Sequence, residues 1–125
     1  MAVHHLALRS PDPATLAAYY QRVLGLVELR RSTDDTGLYS VWLDLGGTIL
    51  MVERGHARTA DQGWDGMYLV AHPGSGPAWS ARLEGCCTPI EGRTAFTLYA
   101  RDPEGNRFGV SSFPDPLFNT LSQGS

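Results

Sequence analysis

Short segments in which apolar and polar residues alternate recur along the chain, as in VHHLAL near the start and RFGVS near the end. Alternation with a period of two is typical of strands that bury one face of a sheet. The pattern therefore predicts eight strands, which we place near 3–9, 26–32, 38–44, 48–53, 66–71, 86–90, 94–100 and 106–112.

Two other segments follow the helical period. In the first, Asp12 is a suitable N-cap, Pro13 suits the first turn and Gly25 suits the position after the last turn. Apolar residues at helical spacing between them form one face. They are Leu16, Tyr19, Tyr20, Val23 and Leu24.

The second predicted helix has the same signals at its two ends. Ser75 is its expected cap, Pro77 lies in its first turn and Gly85 is its expected end. Trp79 and Leu83 are expected to face inward.

The second half of the chain repeats the order of elements in the first half. Pairing His5 with Met67 gives an offset of 62, and pairing Gly47 with Gly105 gives 58. A period this long favours two modules within one domain over a solenoid. The fold class predicted is α+β, with two βαβββ modules that form a cupped mixed sheet and carry helices on the outer face. We expect a single domain over 1–125, with module 1 over about 2–54, a linker over about 55–64, module 2 over about 65–113 and a C-terminal arm over 114–125 that frays.

Strand alternation sorts the side chains between two faces. The apolar set assigned to the helix side is Leu6, Leu8, Leu50, Val52, Tyr68, Val70, Phe108 and Val110. The set expected to line the cup is His5, Ala7, Ile49, Met51, Glu53, Met67, Leu69, Arg107, Gly109 and Ser111.

The geometry of two turns assigns residues of two further strands to the cup face. The Gly46–Gly47 turn places Trp42 opposite Met51 and Ser40 opposite Glu53, so these side chains share the cup face. The turn that begins at Asp102 places Leu98 near Gly109 by the same argument.

Composition narrows the possible partners. The chain has 125 residues, 42% of them hydrophobic and 18% charged, and its formal net charge is −3. Because the cationic residues are few and scattered, we expect neither nucleic acid nor a membrane as a partner. No apolar segment approaches the roughly 20 residues that span a bilayer, and the start does not resemble a secretory signal, so the expected location is the cytoplasm. The adjacent Cys86 and Cys87 are expected to be reduced thiols on a strand.

Three segments carry a resemblance to a known group of proteins. They are HHLALRS in the first strand, AYYQRVLGL in the first helix and DPEGNRFGV at the last turn and strand. With them the chain resembles the vicinal oxygen chelate superfamily, which includes glyoxalase I, bleomycin-resistance proteins and extradiol dioxygenases. The resemblance covers roughly residues 2–113 and implies paired βαβββ modules, a homodimer and a ligand site in or near the cup.

The resemblance also implies where a metal would be bound. Metal-dependent members take one ligand from the first and last strand of each module, positions that correspond to His5, Met51, Met67 and Gly109. A catalytic divalent metal needs about three nitrogen or oxygen donors. Only His5 qualifies, and the neighbouring Glu53 would raise the number to two. We therefore expect no metal and no other cofactor.

What remains is an apolar cup with a few polar points, as small-molecule pockets have. Its predicted ligand-binding residues are Ser40, Trp42, Met51, Met67, Leu69, Leu98, Arg107 and Gly109. Trp42 offers a stacking face, and Gly109 is expected to enlarge the cavity. Met51 and Met67 are equally well explained as packing between the modules.

The function predicted is metal-independent binding of a small, partly aromatic or drug-like ligand, as in the antibiotic-resistance branch of the superfamily. The alternative is an enzyme of the same fold (a lyase, isomerase or dioxygenase). It would use a degenerate metal site, or His5 as a general base oriented by Glu53.

Overall fold

A computed structural model describes residues 1–56, 67–72 and 74–118 of the chain. The chain divides into two compact units, 1–63 and 64–125, and each is described by itself. Most of the predicted linker lies outside the described residues. Among the residues that are described, no helix is long and apolar enough to cross a membrane.

Both units have the predicted order strand, helix, strand, strand, strand. The elements of unit 1 are β1 (His5–Ser10), α1 (Pro13–Leu24), β2 (Glu28–Asp34), β3 (Gly37–Asp44) and β4 (Ile49–Arg54). Those of unit 2 are β5 (Met67–Ala71), α2 (Gly76–Gly85), β6 (Ile90–Arg93), β7 (Thr97–Arg101) and β8 (Arg107–Ser111).

Each unit forms a four-stranded mixed sheet. The order is β1-β4-β3-β2 in unit 1 and β5-β8-β7-β6 in unit 2. The pairs β1–β4 and β5–β8 are parallel and the other pairs are antiparallel. Two βαβββ modules and the α+β class are therefore confirmed.

Helix α1 begins and ends where the sequence predicts. The Asp12 carboxylate accepts hydrogen bonds from the backbone N–H of Thr15 at 3.2 Å and from its hydroxyl at 2.6 Å, and Gly25 adopts the left-handed conformation (φ 67°). The inward face packs against β1, β3 and β4, because its apolar side chains cover one side of the sheet. Its fully buried members include Leu16, Tyr20 and Val23.

Helix α2 begins at the predicted cap, where the Ser75 hydroxyl accepts from the Ala78 N–H at 3.1 Å. Its end differs from the prediction, because Gly85 is still helical and Cys86 caps the last turn. The N–H groups of Cys86 and Cys87 donate to carbonyls of the last helical turn, and Cys87 takes the positive φ of 56°. The predicted strand at 86–90 is therefore wrong, and both cysteines lie in the turn after α2, where their thiols form no disulfide.

The register predicted for unit 1 is confirmed. Trp42 lies opposite Met51 and Ser40 lies opposite Glu53. The reason is the Gly46–Gly47 turn, in which both glycines have positive φ (82° and 100°), as a two-residue hairpin requires.

The register predicted for the last hairpin is wrong by one residue. Leu98 pairs with Val110, and Tyr99 lies opposite Gly109. The connection includes Asn106, whose carbonyl accepts from the Asp102 N–H at 2.9 Å, so the turn is one residue longer than the prediction assumed. Since a shift by one residue exchanges the faces of a strand, Leu98 is buried beside the core residue Val110 and does not line the open face.

The expectation that the C-terminal arm frays is wrong for residues up to 118. Leu117 and Phe118 are buried, and the Leu117 carbonyl accepts from the Gly76 N–H at 2.7 Å. The Leu117 N–H donates to the Ala95 carbonyl at 2.7 Å. This segment is therefore part of the packing around the start of α2, and 119–125 lie outside the described residues.

An exposed ion pair at the end of β2 gives a pH-dependent test of the fold. Arg54 donates to the Asp34 carboxylate, which also accepts from the Thr36 N–H at 2.9 Å and hydroxyl at 2.8 Å. The Arg54 bond and then the Thr36 bonds lower the pKa of Asp34 from 3.8 to about 2. Because the folded pKa is depressed, the stabilisation is present above the ordinary pKa and is lost as the pH falls from about 4 to about 2.

We therefore expect an NMR titration of the Asp34 carboxyl to have its midpoint near pH 2, the value to which Arg54 and Thr36 lower the pKa. In Arg54→Gln the midpoint should rise toward 3.8, because the largest cause of the shift is removed. An equal midpoint in both proteins would contradict this assignment.

Candidate functional site

In unit 1, helix α1 packs on one face of the sheet, and we call the opposite face, which α1 does not cover, the uncovered face. This face carries an aromatic and cationic group that we name the Trp42 platform, formed by His5, Arg30 and Trp42. The His5 and Trp42 rings are nearly parallel (16°), with centroids 6.4 Å apart. Arg30, the cross-strand partner of Trp42, holds its guanidinium 5.5 Å from the centre of the indole. Met51 is the partner of Trp42 on the other side and is half-buried. The platform thus offers a flat apolar surface with positive charge beside it.

His5 and Glu53, the predicted catalytic pair, are not brought together. In the parallel pair β1–β4, His5 lies beside Ile49 and Glu53 lies beside Arg9. Four residues along a strand correspond to about 13 Å, so the carboxylate cannot orient the imidazole. The expectation that these two side chains approach each other is wrong.

Glu53 instead belongs to a closed polar group at the other end of the strands. The Arg9 guanidinium donates to its Oε1 at 3.1 Å, and the Tyr39 hydroxyl is 3.5 Å from its Oε2. Glu53 and its cross-strand partner Ser40 are both buried within unit 1. Of the catalytic and ligand-binding residues predicted in unit 1, His5, Trp42 and Met51 are therefore the accessible ones.

The uncovered face of the second sheet is more apolar. Met67 and Leu69 on the edge strand β5 are 43% and 51% exposed. The expected open space beside Gly109 is filled, since a Cβ there would lie 2.5 Å from Leu69 Cδ2 and 3.0 Å from the Leu98 carbonyl oxygen. The prediction that Gly109 enlarges a cavity is therefore wrong.

Arg107 lies on this face in a charged group. The Glu91 carboxylate forms an ion pair with Arg101 and approaches Arg107 Nε at 3.6 Å. Arg101 also donates to the Gly105 carbonyl at 2.9 Å. Arg107 is thus partly neutralised by Glu91.

Comparison with solved structures finds close likeness in backbone at low sequence identity. Glyoxalase I of Leishmania major aligns with a TM-score of 0.74 at 18% identity, over 89% of this chain and 86% of that one. Lactoylglutathione lyase of Agrobacterium tumefaciens gives 0.66 at 21%, over 88% and 92%. The fosfomycin resistance protein FosX of Listeria monocytogenes, in complex with Mn(II) and sulfate, gives 0.70 at 15%, over 99% and 96%. The chain has the vicinal oxygen chelate fold. No family model and no curated protein matches the sequence.

Some proteins of the vicinal oxygen chelate fold bind a metal, as the FosX complex with Mn(II) does. The four positions that the resemblance assigns to ligands hold one imidazole (His5), two thioethers (Met51 and Met67) and a glycine (Gly109). Glu53 cannot substitute, because Arg9 occupies its carboxylate. Within the described part of the chain, no group of three or more His, Cys, Asp or Glu side chains could hold a metal ion. These residues do not fit a divalent metal.

Three residues of the two uncovered faces were missed by the sequence analysis. Arg9 has the same parity as His5 on β1, so strand alternation could have placed it on the same face, but its pairing with Glu53 depends on the register of β1 and β4. Tyr99 was missed because of the register error in its hairpin. Arg30 was missed because a register shift between Glu28 and Arg30 interrupts the alternation of β2, and no residue type in that segment signals it.

Proposed function

We propose that this chain binds a small molecule with a planar aromatic part on the Trp42 platform, without a metal ion. The observation that carries the proposal is the platform itself. Trp42 lies on an uncovered sheet face beside an unburied imidazole and a guanidinium, His5 and Arg30. An indole left beside a cation on an open face is suited to stacking on a planar ligand.

The charges of the platform suggest an acidic substituent on the ligand. Arg30 carries a permanent positive charge, and its cross-strand partner Trp42 supplies the apolar surface. Met51 beside the indole can adapt to ligands of different shape, because its side chain is flexible and polarisable. Two structural neighbours have names that refer to small molecules, lactoylglutathione and fosfomycin, which supports a ligand of that size.

The binding proposal is tested with 1-naphthoate as the probe. Trp42→Leu should weaken its affinity about tenfold, because an aromatic contact and the surface it covers together contribute about 1.4 kcal/mol. Isothermal titration calorimetry measures the change. Phe113→Leu is the matched control, since it removes an exposed aromatic ring from unit 2.

Equal affinity of the parent protein and Trp42→Leu would contradict the platform as the site. An equal loss in Phe113→Leu would also contradict it, because the effect would then not be specific to the indole. Naphthalene-methanol, which lacks the charge, should bind more weakly than naphthoate if Arg30 contributes.

The metal-independent part of the proposal has its own test. Because one imidazole does not hold a divalent ion, we expect purified protein to contain Ni, Zn, Mn and Fe only at substoichiometric levels by elemental analysis. His5→Ala is the control, since it removes the only matching donor. One equivalent of metal in the parent protein would contradict the proposal, and its loss in His5→Ala would place the site at His5.

The enzyme alternative receives less support from the described residues. General-base catalysis at His5 needs an orienting group, and Glu53 is engaged by Arg9 about 13 Å along the strands. The homodimer, the cytoplasmic location and the exclusion of nucleic acid and membrane partners stay predictions from the sequence.

A further inference from the structure

Unit 2 contains a half-open cavity that is lined by none of the predicted catalytic or ligand-binding residues. It lies where β5 and β8 end and has a volume of about 450 Å³. This lies within the size range of small-molecule pockets. Its wall includes His72, Ser111, Ser112, Phe113 and Asp115.

Backbone hydrogen bonds hold the wall of this cavity in place. The His72 N–H donates to the Ser111 carbonyl at 2.8 Å, which extends the β5–β8 pairing beyond the strands. The Ser112 N–H donates to the Phe96 carbonyl at 3.0 Å. The Ser112 hydroxyl donates to the Asp115 carbonyl at 2.7 Å, and the Asp115 N–H donates back to the Ser112 carbonyl at 2.9 Å. The segment from Ser112 to Asp115 is therefore pre-organised, which lowers the cost of ordering it around a ligand.

The charge of the cavity is negative. The Asp115 carboxylate accepts no hydrogen bond and forms no ion pair with any residue in the described ranges, and the cavity wall holds no lysine or arginine. The positive N-terminal end of α2 is nearby in sequence, but N–H groups there already have acceptors within the protein. The Ser75 hydroxyl accepts from the Ala78 N–H, and the Leu117 carbonyl accepts from the Gly76 N–H. The uncompensated group that a ligand meets is thus a carboxylate.

The wall of the same cavity also includes an exposed aromatic ring. Phe113 is 70% exposed, and its ring meets Phe96 in an edge-to-face contact with centroids 5.2 Å apart. His72, also in the wall, makes an edge-to-face contact with Trp79, with centroids 5.1 Å apart. A carboxylate and an exposed ring in the wall of one cavity can together attract an organic cation, through an ion pair and a cation–π contact.

We propose that this cavity binds a small organic cation, namely a protonated amine attached to an apolar group. The amine pairs with the Asp115 carboxylate, and the apolar group packs against the Phe113 ring. The site is independent of the Trp42 platform, since it lies wholly in unit 2 and has the opposite charge preference.

Benzylamine is the probe, and benzyl alcohol is its uncharged counterpart of similar shape. In a titration of the full chain followed by ¹H–¹⁵N NMR, benzylamine should give saturable shifts at the amides of His72, Ser112 and Asp115. Asp115→Asn should raise its dissociation constant about tenfold, since a charge-assisted hydrogen bond is lost. Benzyl alcohol should bind at least about tenfold more weakly than benzylamine for the same reason.

Asp35→Asn is the matched control, because it removes an exposed carboxylate from unit 1 and should leave benzylamine binding unchanged. Phe113→Ala is a second variant at an exposed position and should weaken binding about threefold. Three results would overturn the proposal: no saturable shift up to about 10 mM benzylamine, equal binding of the alcohol, or an unchanged constant in Asp115→Asn. A result of this kind would leave the Trp42 platform unaffected, because naphthoate binding is measured separately.

Discussion

Asp102→Ala is expected to lower the free energy of unfolding by about 3 kcal/mol. The Asp102 carboxylate is buried and organises the β7–β8 turn. Its Oδ1 accepts from the N–H groups of Glu104 at 2.9 Å and Asn106 at 3.0 Å, and its Oδ2 accepts from Asn106 Nδ2 at 2.9 Å. Alanine would remove these three hydrogen bonds and leave the N–H groups of Glu104 and Asn106 without this acceptor in a partly buried turn. Urea unfolding followed by circular dichroism measures the loss.

The repeat supplies a matched control in unit 1. With the offset of 58 that relates Gly47 to Gly105, the equivalent of Asp102 is Asp44. Asp44 is exposed and accepts one backbone bond, from the Gly46 N–H at 2.7 Å. Asp44→Ala should therefore cost about 1 kcal/mol or less. Equal losses in the two variants would contradict the role assigned to the buried carboxylate.

The same two turns explain why one hairpin register could be predicted and the other could not. In unit 1, adjacent glycines at 46 and 47 favour a two-residue turn with positive φ, which fixes every pair along the hairpin. In unit 2, the Asp102 carboxylate holds the turn together by hydrogen bonds. The residue types of such a turn do not determine how many residues it contains. The prediction therefore placed Leu98 on the open face, where the structure has Tyr99.

The position of β6 was unpredictable for a related reason. Cys86, Cys87 and Thr88 have residue types compatible with a strand, and Gly85 is a typical helix end. In the structure their N–H groups donate to carbonyls of the last turn of α2, so pairing with β7 begins only at Ile90. Hydrogen bonds of a helix end depend on which residue takes the positive φ, and here it is Cys87 instead of a glycine.

The candidate site was predicted best where alternation and turn geometry agree. Trp42 and Met51 lie as cross-strand partners on the uncovered face, as the sequence predicted. The prediction that His5 and Glu53 form a pair was wrong, because alternation gives the face on which a residue lies but not its position along the neighbouring parallel strand. That position depends on the whole connection through α1, β2 and β3, and it places Arg9 beside Glu53. Two residues on parallel strands can thus form a catalytic pair only if the register, as well as the face, brings them together.

Phe118→Ala is expected to lower the free energy of unfolding by about 3 kcal/mol, because it removes a buried aromatic ring and leaves a cavity. The Phe118 ring is almost fully buried, and a Cβ built at Gly76 would overlap it, so ring and helix start are in close contact. Arg93 adds a guanidinium 4.3 Å from the ring centre. Thermal or urea unfolding measures the loss.

Phe113→Ala is the control in the same segment, because that ring is 70% exposed and its removal should cost about 0.5 kcal/mol or less. Gly76→Ala tests the contact from its other side, since the added methyl would displace the Phe118 ring and also destabilise the protein. In the double variant Gly76→Ala with Phe118→Ala, the methyl has room, so the second change should cost less than it does alone. Additive losses would mean that the two residues do not share this contact. A loss in Phe118→Ala no larger than that in Phe113→Ala would mean that the residues after Phe113 form the fraying arm that the sequence predicted.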